Sequence, residues 1–439
     1  MIDREKFQKE RVSINSISSK DEKKSVIIAG WLYDDRDIGK IRFALIRDIT
    51  GEIQVTGVKG ETNELVFNKL GKIPRESVII VKGKVVSNKK APGGREIIPE
   101  SLEVLAEAKQ PLPIDTSDFS KTELSKRLDY RFLDFHRKRT QAIFKIQSTI
   151  TQAFREHFSK KGFIEIQPPC LISAASEGGA DLFKVKYFEK EACLAQSPQL
   201  YKQMLACSLE KVSMVAPVWR AEKHNTIRHI NEIRQMDIEA AFYDMFAIMK
   251  QEEELMIQII KTLLQERADE LSLLRVELKI PSSHYISYTE TIELLKKNKV
   301  KIYYGEDLTP DSEKKLEELF PNTLLFVHSW PLSLRAFYIM PKKEDLKAEL
   351  SEGFDLIYKG LEITSGGQRI HIPELLIARL KAKGLNPKDF TDYIDSFRYG
   401  APYHSGWSIG LERLTMVLTA QENIRETTMF PRDRDRLTP

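Results

Sequence analysis

From Ser25 to about Leu105 apolar residues recur in short runs: S-V-I-I-A-G-W-L-Y, I-R-F-A-L-I-R-D, E-I-Q-V-T-G, S-V-I-I-V-K-G-K-V-V and R-E-I-I-P. Turn signals separate them at Asp37–Gly39, Thr50-Gly51 and Ala91-Pro92-Gly93-Gly94. Runs of this length between such punctuation read as strands. Five of them in about 80 residues predict a small closed all-β barrel. Before them, residues 1–25 are polar and charged, which suits a loosely held arm or a short helix.

The pattern then changes. K-Q-P-L-P-I-D-T-S-D-F-S-K, from Lys109 to Lys121, is rich in proline and polar residues and marks a boundary. A basic stretch with aromatics follows from Arg127 to Arg139. From Thr140 to Lys161 the apolar residues Ile143, Ile146, Ile150, Phe154 and Phe158 fall at helical spacing, and Gly162 ends the run. The strand F-I-E-I-Q-P-P comes next, and beyond it helices and strands alternate, with a helix expected over 248–270 and a charged region over 290–320. The expected organisation is a barrel over 1–107, a linker over 108–139 and a larger α+β domain over 140–439, with an insertion at about 268–345. No internal repeat is visible.

Composition narrows the classes. The chain has 439 residues, 41% hydrophobic and 30% charged, enough for more than one core. Lysine and arginine number 68 against 64 acids, a net +4 that permits a polyanionic partner without demanding one. Three cysteines, Cys170, Cys193 and Cys207, with no CxxC pair indicate neither a disulfide framework nor a zinc site, and buried reduced thiols are expected. The N-terminal M-I-D-R-E-K-F-Q-K-E has no apolar h-region, and no run of about 18 apolar residues exists, so the expectation is a cytosolic protein without membrane spans.

Candidate chemistry lies in three blocks. In V-W-R-A-E-K-H-N-T-I-R-H-I-N-E-I-R-Q-M-D-I-E-A-A-F, from Val218 to Phe242, Arg220 and Glu222 are two apart. In a strand they would share a face. A loop with Lys223, His224, Arg228 and His229 follows. An arginine beside a carboxylate under a cationic loop suits a bent nucleoside triphosphate. The second block, Phe354 to Arg369, sets Asp355 and Glu362 on two strands across a turn at Lys359-Gly360, and paired carboxylates with phosphate oxygens are how magnesium is held. The third, H-S-G-W-S-I-G-L-E-R-L, puts small residues before an amphipathic helix carrying Glu412 and Arg413. Hairpins with solvated charges would account for the first two blocks, and simple packing for the third. Two further segments are polar at helical or loop spacing: Q-S-P-Q-L-Y-K-Q, with Gln199 and Lys202 on one face if Pro198 starts a helix, and S-E-G-G, with Glu177.

Taken together, Arg220-x-Glu222, Gly410-Leu411-Glu412-Arg413 and the Gly162…Pro169 segment resemble motifs 2, 3 and 1 of the class II aminoacyl-tRNA synthetases. S-E-G-G-A-D-L-F, A-Q-S-P-Q-L-Y-K-Q, R-A-E-K-H-N-T-I-R-H, S-G-G-Q-R and the ending M-F-P-R-D-R-D-R-L-T-P resemble, more narrowly, the aspartyl-tRNA synthetases of the archaeal and eukaryotic type. The resemblance covers essentially the whole chain. It implies an anticodon-binding OB-fold barrel and a catalytic domain on an antiparallel sheet. The implied activity joins L-aspartate to tRNA(Asp), and in the relaxed type of the family to tRNA(Asn) as well, using ATP and Mg2+ in a homodimer. Motif 1, at Phe163–Pro169, would build the subunit interface.

The resemblance also implies roles. Arg220, Ala221, Glu222, Arg228, His229, Ile230, Glu362, Gly410, Leu411, Glu412 and Arg413 would surround ATP, with Arg220, Glu222 and Arg413 as the catalytic groups. Asp355, Glu362 and Ser365 would serve magnesium. Glu177, Gln199, Lys202, Arg220, Asp237, Ser365 and Arg369 would bind aspartate, with Lys202 and Arg369 offering two cations to its β-carboxylate. Asparagine would leave both uncompensated, and the asparagine-specific relatives lack the lysine. Phe43 and Gln54 would read the anticodon, although a core role for Phe43 is a rival. The stricter aspartate enzymes tend to carry Trp and Lys where this chain has Tyr33 and Pro92, which points to the relaxed tRNA scope. Here E-I-R-Q stands where many relatives have an aromatic, and Ser405 and Ser408 stand where many have glycine. An asparaginyl or amidating paralogue, or a non-catalytic RNA-binding relative, are the competing readings.

Overall fold

The structure, a computed structural model, describes residues 4–173, 182–223 and 225–439. The chain divides into two compact units, Met1–Asp115 and Thr116–Pro439.

In the first unit β1 (Ser25–Asp37), β2 (Ile41–Arg47), β3 (Glu52–Val58), β4 (Val78–Ser87) and β5 (Arg95–Ala106) close a barrel in the order β1-β2-β3-β5-β4. Strand alternation sends Ala44, Ile46, Ile53 and Val55 into the core with Ile28, Leu32, Ile79, Val81 and Ile97. Each of the Ile, Leu and Val side chains removed from water contributes about 1.5–3 kcal/mol, which fixes the register. Phe43 pairs with Thr56, and Leu45 pairs with Gln54. These four residues share the face opposite the core. The pattern that left Phe43 a candidate core residue is thereby resolved: its neighbours Ala44 and Ile46 fill the barrel instead. Gln54 donates to Glu96 at 2.7 Å on this same face. The helix Glu64–Leu70, capped by Asn63, packs Val66 and Leu70 onto the core. At seven residues it is too short to announce itself by periodicity.

The second unit is built on an eight-stranded sheet. Its strands are β6 (Ile164–Glu165), β10 (Lys211–Trp219), β11 (Glu232–Ala241), β12 (Ser282–Ser287), β13 (Thr323–His328), β14 (Gly353–Tyr358), β15 (Leu361–Gln368) and β16 (His404–Gly410). Their order is β12-β13-β14-β15-β16-β11-β10-β6. The middle of the sheet is antiparallel, as the family resemblance implies, but β12 runs parallel to β13 and β6 parallel to β10, so the whole is mixed. A separate three-stranded sheet joins β7 (Leu171–Ile172), β8 (Lys184–Tyr187) and β9 (Lys190–Leu194). The segment read as an insertion supplies β12 and β13, so it widens the main sheet.

Alternation gives the main sheet two faces of different character. Met236, Ile238 and Ala240 of β11, with Phe354, Leu356, Trp407 and Ile409, join the core beneath the helices Lys138–Lys160 and Met245–Glu266. Gln235, Asp237 and Glu239, one position out of phase, carry the polar chemistry on the other face. Residues Arg127 to Arg137, part of the stretch read as linker, pack within the second unit. Arg131 is fully buried, bonded to Asp134 at 2.5 Å and to the carbonyl of Thr428 at 3.1 Å. Paired charge, not mobility, explains that basic stretch. Among the described residues no helix is long and apolar enough to cross a membrane. All three cysteines are free, and Cys170 is exposed where a buried thiol was expected.

Candidate active site

A cavity of about 330 Å³ opens over the polar face. Arg220, Glu222, Arg228, His229 and Ile230 reach it from the β10–β11 connection, Gln199 from a helix, Asp237 from β11, Glu362, Ser365 and Arg369 from β15 and its end, and Gly410, Glu412 and Arg413 from β16 and the helix after it. Residues scattered over more than 200 positions of sequence thus line one space. Two of the expected nucleotide neighbours do not: Leu411 packs into the core, 6% exposed, and Ala221 lies outside the lining. Glu177 and His224 fall outside the described residues.

Arg220 and Glu222 do not share a strand face, because β10 stops at Trp219. The reason is Asn231. Its carbonyl accepts from the Arg220 N–H at 2.9 Å, and its side-chain amide donates to the carbonyls of Arg220 at 2.6 Å and Glu222 at 3.0 Å. A side chain takes the bonds a strand partner would have made, the ladder ends, and the connection turns over the cavity. Asn231 is 8% exposed, and its own N–H donates to the Arg432 carbonyl. The sequence offered no sign of this role beyond a polar residue before an apolar strand.

The helix Gln199–Leu209 begins after Pro198, as its spacing predicts, and places Gln199 and Lys202 together. Gln199 donates to Gln203 at 2.8 Å, and Gln203 accepts from Tyr393 at 2.8 Å, so its orientation is set from behind. Lys202 is fully buried behind the lining. Its Nζ donates to Asp237 at 2.6 Å and to the Trp407 carbonyl at 3.2 Å, and stands 3.5 Å from Glu239. Arg369 donates to the two oxygens of Glu239 at 3.0 and 3.3 Å.

The expectation of two uncompensated cations is therefore corrected: Lys202 and Arg369 form a neutral buried quartet with Asp237 and Glu239. Taking an unpaired charge out of water costs several kcal/mol, about as much as breaking a buried pair, so the fold supplies counter-ions. Burial pushes the Asp237 carboxyl up, with Lys202 opposing. Burial also pushes Glu239 up, but Arg369 and Lys202 outweigh it and leave that carboxyl below its ordinary range. Glu239 was not singled out from the sequence, where it is one more strand acid. Gly406 makes room for it: a Cβ there would lie 2.1 Å from a Glu239 oxygen. The two serines in glycine positions use their hydroxyls, Ser408 on Asp237 at 3.2 Å and Ser405 on the Tyr243 carbonyl at 2.7 Å.

At the other end of the cavity Arg413 donates to the Glu362 carbonyl at 3.3 Å and lies 3.4 Å from His229, itself bonded to Thr226 at 2.6 Å. Both oxygens of Glu412 accept from the Arg234 N–H at 3.0 Å, tying the helix after β16 to β11. Burial raises Glu412 to about 7. Ile233 lines the cavity.

Asp355 and Ser365 pair across β14 and β15. Arg335 donates to Asp355 at 2.9 Å and to Ser365 at 3.3 Å, so Asp355 faces a guanidinium and is not part of the cavity lining. Glu362 opens onto the cavity yet is surrounded by protein. Burial first, and then Asp355, raise its carboxyl to about 8. Among the described residues no three His, Cys, Asp or Glu gather as a cage. Magnesium needs none: hard oxygen donors from one or two carboxylates, completed by phosphate and water, suffice. Burial and the neighbouring acid oppose the ionised form of Glu362, and a divalent cation at its carboxyl would favour it.

The comparisons agree with this geometry. Residues 123–434 match the family tRNA synthetases class II (D, K and N), and residues 26–105 match the OB-fold nucleic acid binding domain. The chain is 44% identical over 442 residues to the aspartate–tRNA(Asp/Asn) ligase of Methanocaldococcus jannaschii, covering 100% of both. It is 45% identical over 418 residues to that of Methanopyrus kandleri, covering 94% of this chain and 96% of the relative. Among solved structures, the asparaginyl-tRNA synthetase of Pyrococcus horikoshii complexed with asparaginyl-adenylate superposes with a TM-score of 0.93 at 36% identity over 100% of both chains. The aspartyl tRNA synthetase from Entamoeba histolytica gives 0.87 at 32%, covering 98% of this chain and 92% of that one. With both units matched and the cavity lined by the residues its motifs contribute, the chain belongs to the class II tRNA synthetases of the D, K and N group.

Proposed function

We propose that this enzyme is an aspartate–tRNA ligase acting in the cytoplasm, charging tRNA(Asp) and also tRNA(Asn). The observation that carries the reading is the buried quartet at one end of the cavity. Arg369 spends Nε and Nη2 on Glu239, which leaves Nη1 for the β-carboxylate of aspartate. Lys202 sits directly behind and, paired with Asp237 and Glu239, keeps the set that the carboxylate meets neutral. Gln199 and Asp237 orient the ammonium group. An amide would make weaker bonds with the same cationic donors. The names of the curated relatives support both tRNA substrates, as does Tyr33 in the barrel. The structural likeness to an asparaginyl enzyme favours the runner-up, asparagine, but that likeness has the lower identity and does not account for Lys202.

In the first step an oxygen of the aspartate α-carboxylate attacks the α-phosphorus of ATP. The bond to the bridging oxygen breaks, and pyrophosphate leaves. In the second step the terminal ribose hydroxyl of tRNA attacks the carbonyl carbon of the adenylate, and AMP leaves. Arg220 holds the α-phosphate and the attacking carboxylate. Arg228 and His229 meet the outer phosphates, Glu222 meets the adenine amino group, and Arg413 stacks on the base. No protein nucleophile is needed; positioning and charge neutralisation supply the rate. Asp355, Glu362 and Ser365 would hold Mg2+, which when bound neutralises phosphate charge.

The outer face of the barrel, with Phe43 and Gln54, reads the anticodon. The enzyme is a homodimer that buries the edge strand β6, whose Ile164 is 48% exposed in the single chain. Aminoacylation of purified tRNA(Asp) and tRNA(Asn) with labelled aspartate tests the reading. Charging of both is expected, whereas pyrophosphate exchange driven by asparagine and not by aspartate would refute it.

A further inference from the structure

The helix Pro310–Leu319 lies in the segment between the second and third motifs, far from either in sequence. Its acids nevertheless reach the nucleotide end of the cavity. Glu313 is 6% exposed. One of its oxygens accepts from the Glu362 N–H at 2.9 Å, and the other bonds Arg228 Nη1 at 2.9 Å. One turn further on, Glu317 faces the backbone amides of Lys359 and Gly360, so the same helix clamps the β14–β15 turn. Gly360, at φ 71°, takes the left-handed conformation that this turn beside the helix requires.

We propose that Glu313 is a positioning residue for the ATP site: a carboxylate that competes with the outer phosphates for Arg228. This rests on the ATP reading above. A guanidinium held at 2.9 Å by a carboxylate satisfies the same donors that a phosphate would use. When ATP arrives, Arg228 exchanges one anion for another. When pyrophosphate has formed, Glu313 is the waiting acceptor that takes Arg228 back and lets the product go. The other oxygen keeps its bond to the Glu362 backbone throughout, so the exchange does not disturb the acid beside it. Glu313 therefore lowers affinity for the triphosphate tail in return for turnover, and links the inserted segment to product release.

The test compares Glu313→Gln with the intact full-length enzyme. Glutamine keeps an acceptor for the Glu362 N–H and removes the charge that holds Arg228. Pyrophosphate and ATP binding are measured by calorimetry, with Glu318→Gln, the same charge change on the solvent side of that helix, as control. Glu313→Gln is expected to bind pyrophosphate about two- to fivefold more tightly, the range for a partly exposed ion pair, and to release it more slowly in stopped flow. Glu318→Gln should not change either. In an Arg228→Ala background the effect of Glu313→Gln should vanish. Unchanged or weaker pyrophosphate binding in Glu313→Gln, or a gain that survives Arg228→Ala, would overturn the proposal while leaving the ATP site standing. Failure of the unaltered enzyme to bind ATP at all would sink the ATP reading itself.

Discussion

Replacing Lys202 by methionine removes one charge from a buried set of four and leaves the volume nearly unchanged. The lysine is fully buried, 2.6 Å from Asp237 and 3.5 Å from Glu239. Without it, two carboxylates share the single guanidinium of Arg369. Removing one partner of a buried ion pair costs about 3–5 kcal/mol. Asp237 can soften this by taking a proton, since burial already pushes its carboxyl up, so a cost of about 3 kcal/mol is expected at neutral pH. The ligand sees a second effect. With Asp237 ionised, a bound β-carboxylate would meet a net negative set where it now meets a neutral one. At an effective dielectric of about 20 a unit charge a few ångströms away is worth about 3–4 kcal/mol. The aspartate requirement should therefore rise at least about a hundredfold, while ATP binding at the opposite end of the cavity stays as it was. Thermal unfolding and aspartate-dependent pyrophosphate exchange read the two effects separately. Adding Asp237→Asn should restore much of the lost melting temperature, because neutrality returns. A Lys202→Met enzyme that melts and uses aspartate like the parent would refute the electrostatic account of this site.

Three further outcomes are expected. Glu252 is fully buried on the helix under the sheet, and burial, opposed only by the nearby Thr364 hydroxyl, raises its carboxyl to about 8. A folded-state value above the unfolded one means stability is fully present at acid pH and is lost as pH rises through about 8. Glu252→Gln should match the parent in thermal melts near pH 5 and exceed it near pH 9, by a margin on the order of a few kcal/mol; equal melts across that range would contradict the burial argument. Gly406→Ala would push a methyl group to within 2.1 Å of Glu239 and 2.3 Å of the Ile238 carbonyl; it should cost about 3 kcal/mol or more, and unchanged melting with unchanged exchange activity would mean that the quartet tolerates displacement. Phe43→Ala should leave stability within about 0.5 kcal/mol, because its side chain is off the barrel core, and leave pyrophosphate exchange intact, yet weaken tRNA charging about tenfold or more through loss of base stacking; full charging would remove Phe43 from the anticodon site.

Short-range pattern was enough to determine the elements and their chemistry classes. The alternating runs of the barrel, the helix through Ile146, Ile150 and Phe154, and the helix begun by Pro198 follow from local periodicity and turn residues, which act over a few positions. The motif residues Arg220, Glu362 and Arg413 were legible from their types and spacings, and all three line the cavity. Long-range pairing decided the rest. Nothing near Arg369 in sequence announces Glu239, and nothing near Arg228 announces Glu313. Those partners arise only when strands and helices from distant segments meet, and a buried cation must then find its counter-ion wherever the packing supplies one. Even the sign of the selectivity pocket was a tertiary matter. Two cations read from the chain as a positive pair become, once desolvated together with two acids, a neutral cluster whose preference lies in the donors it has left.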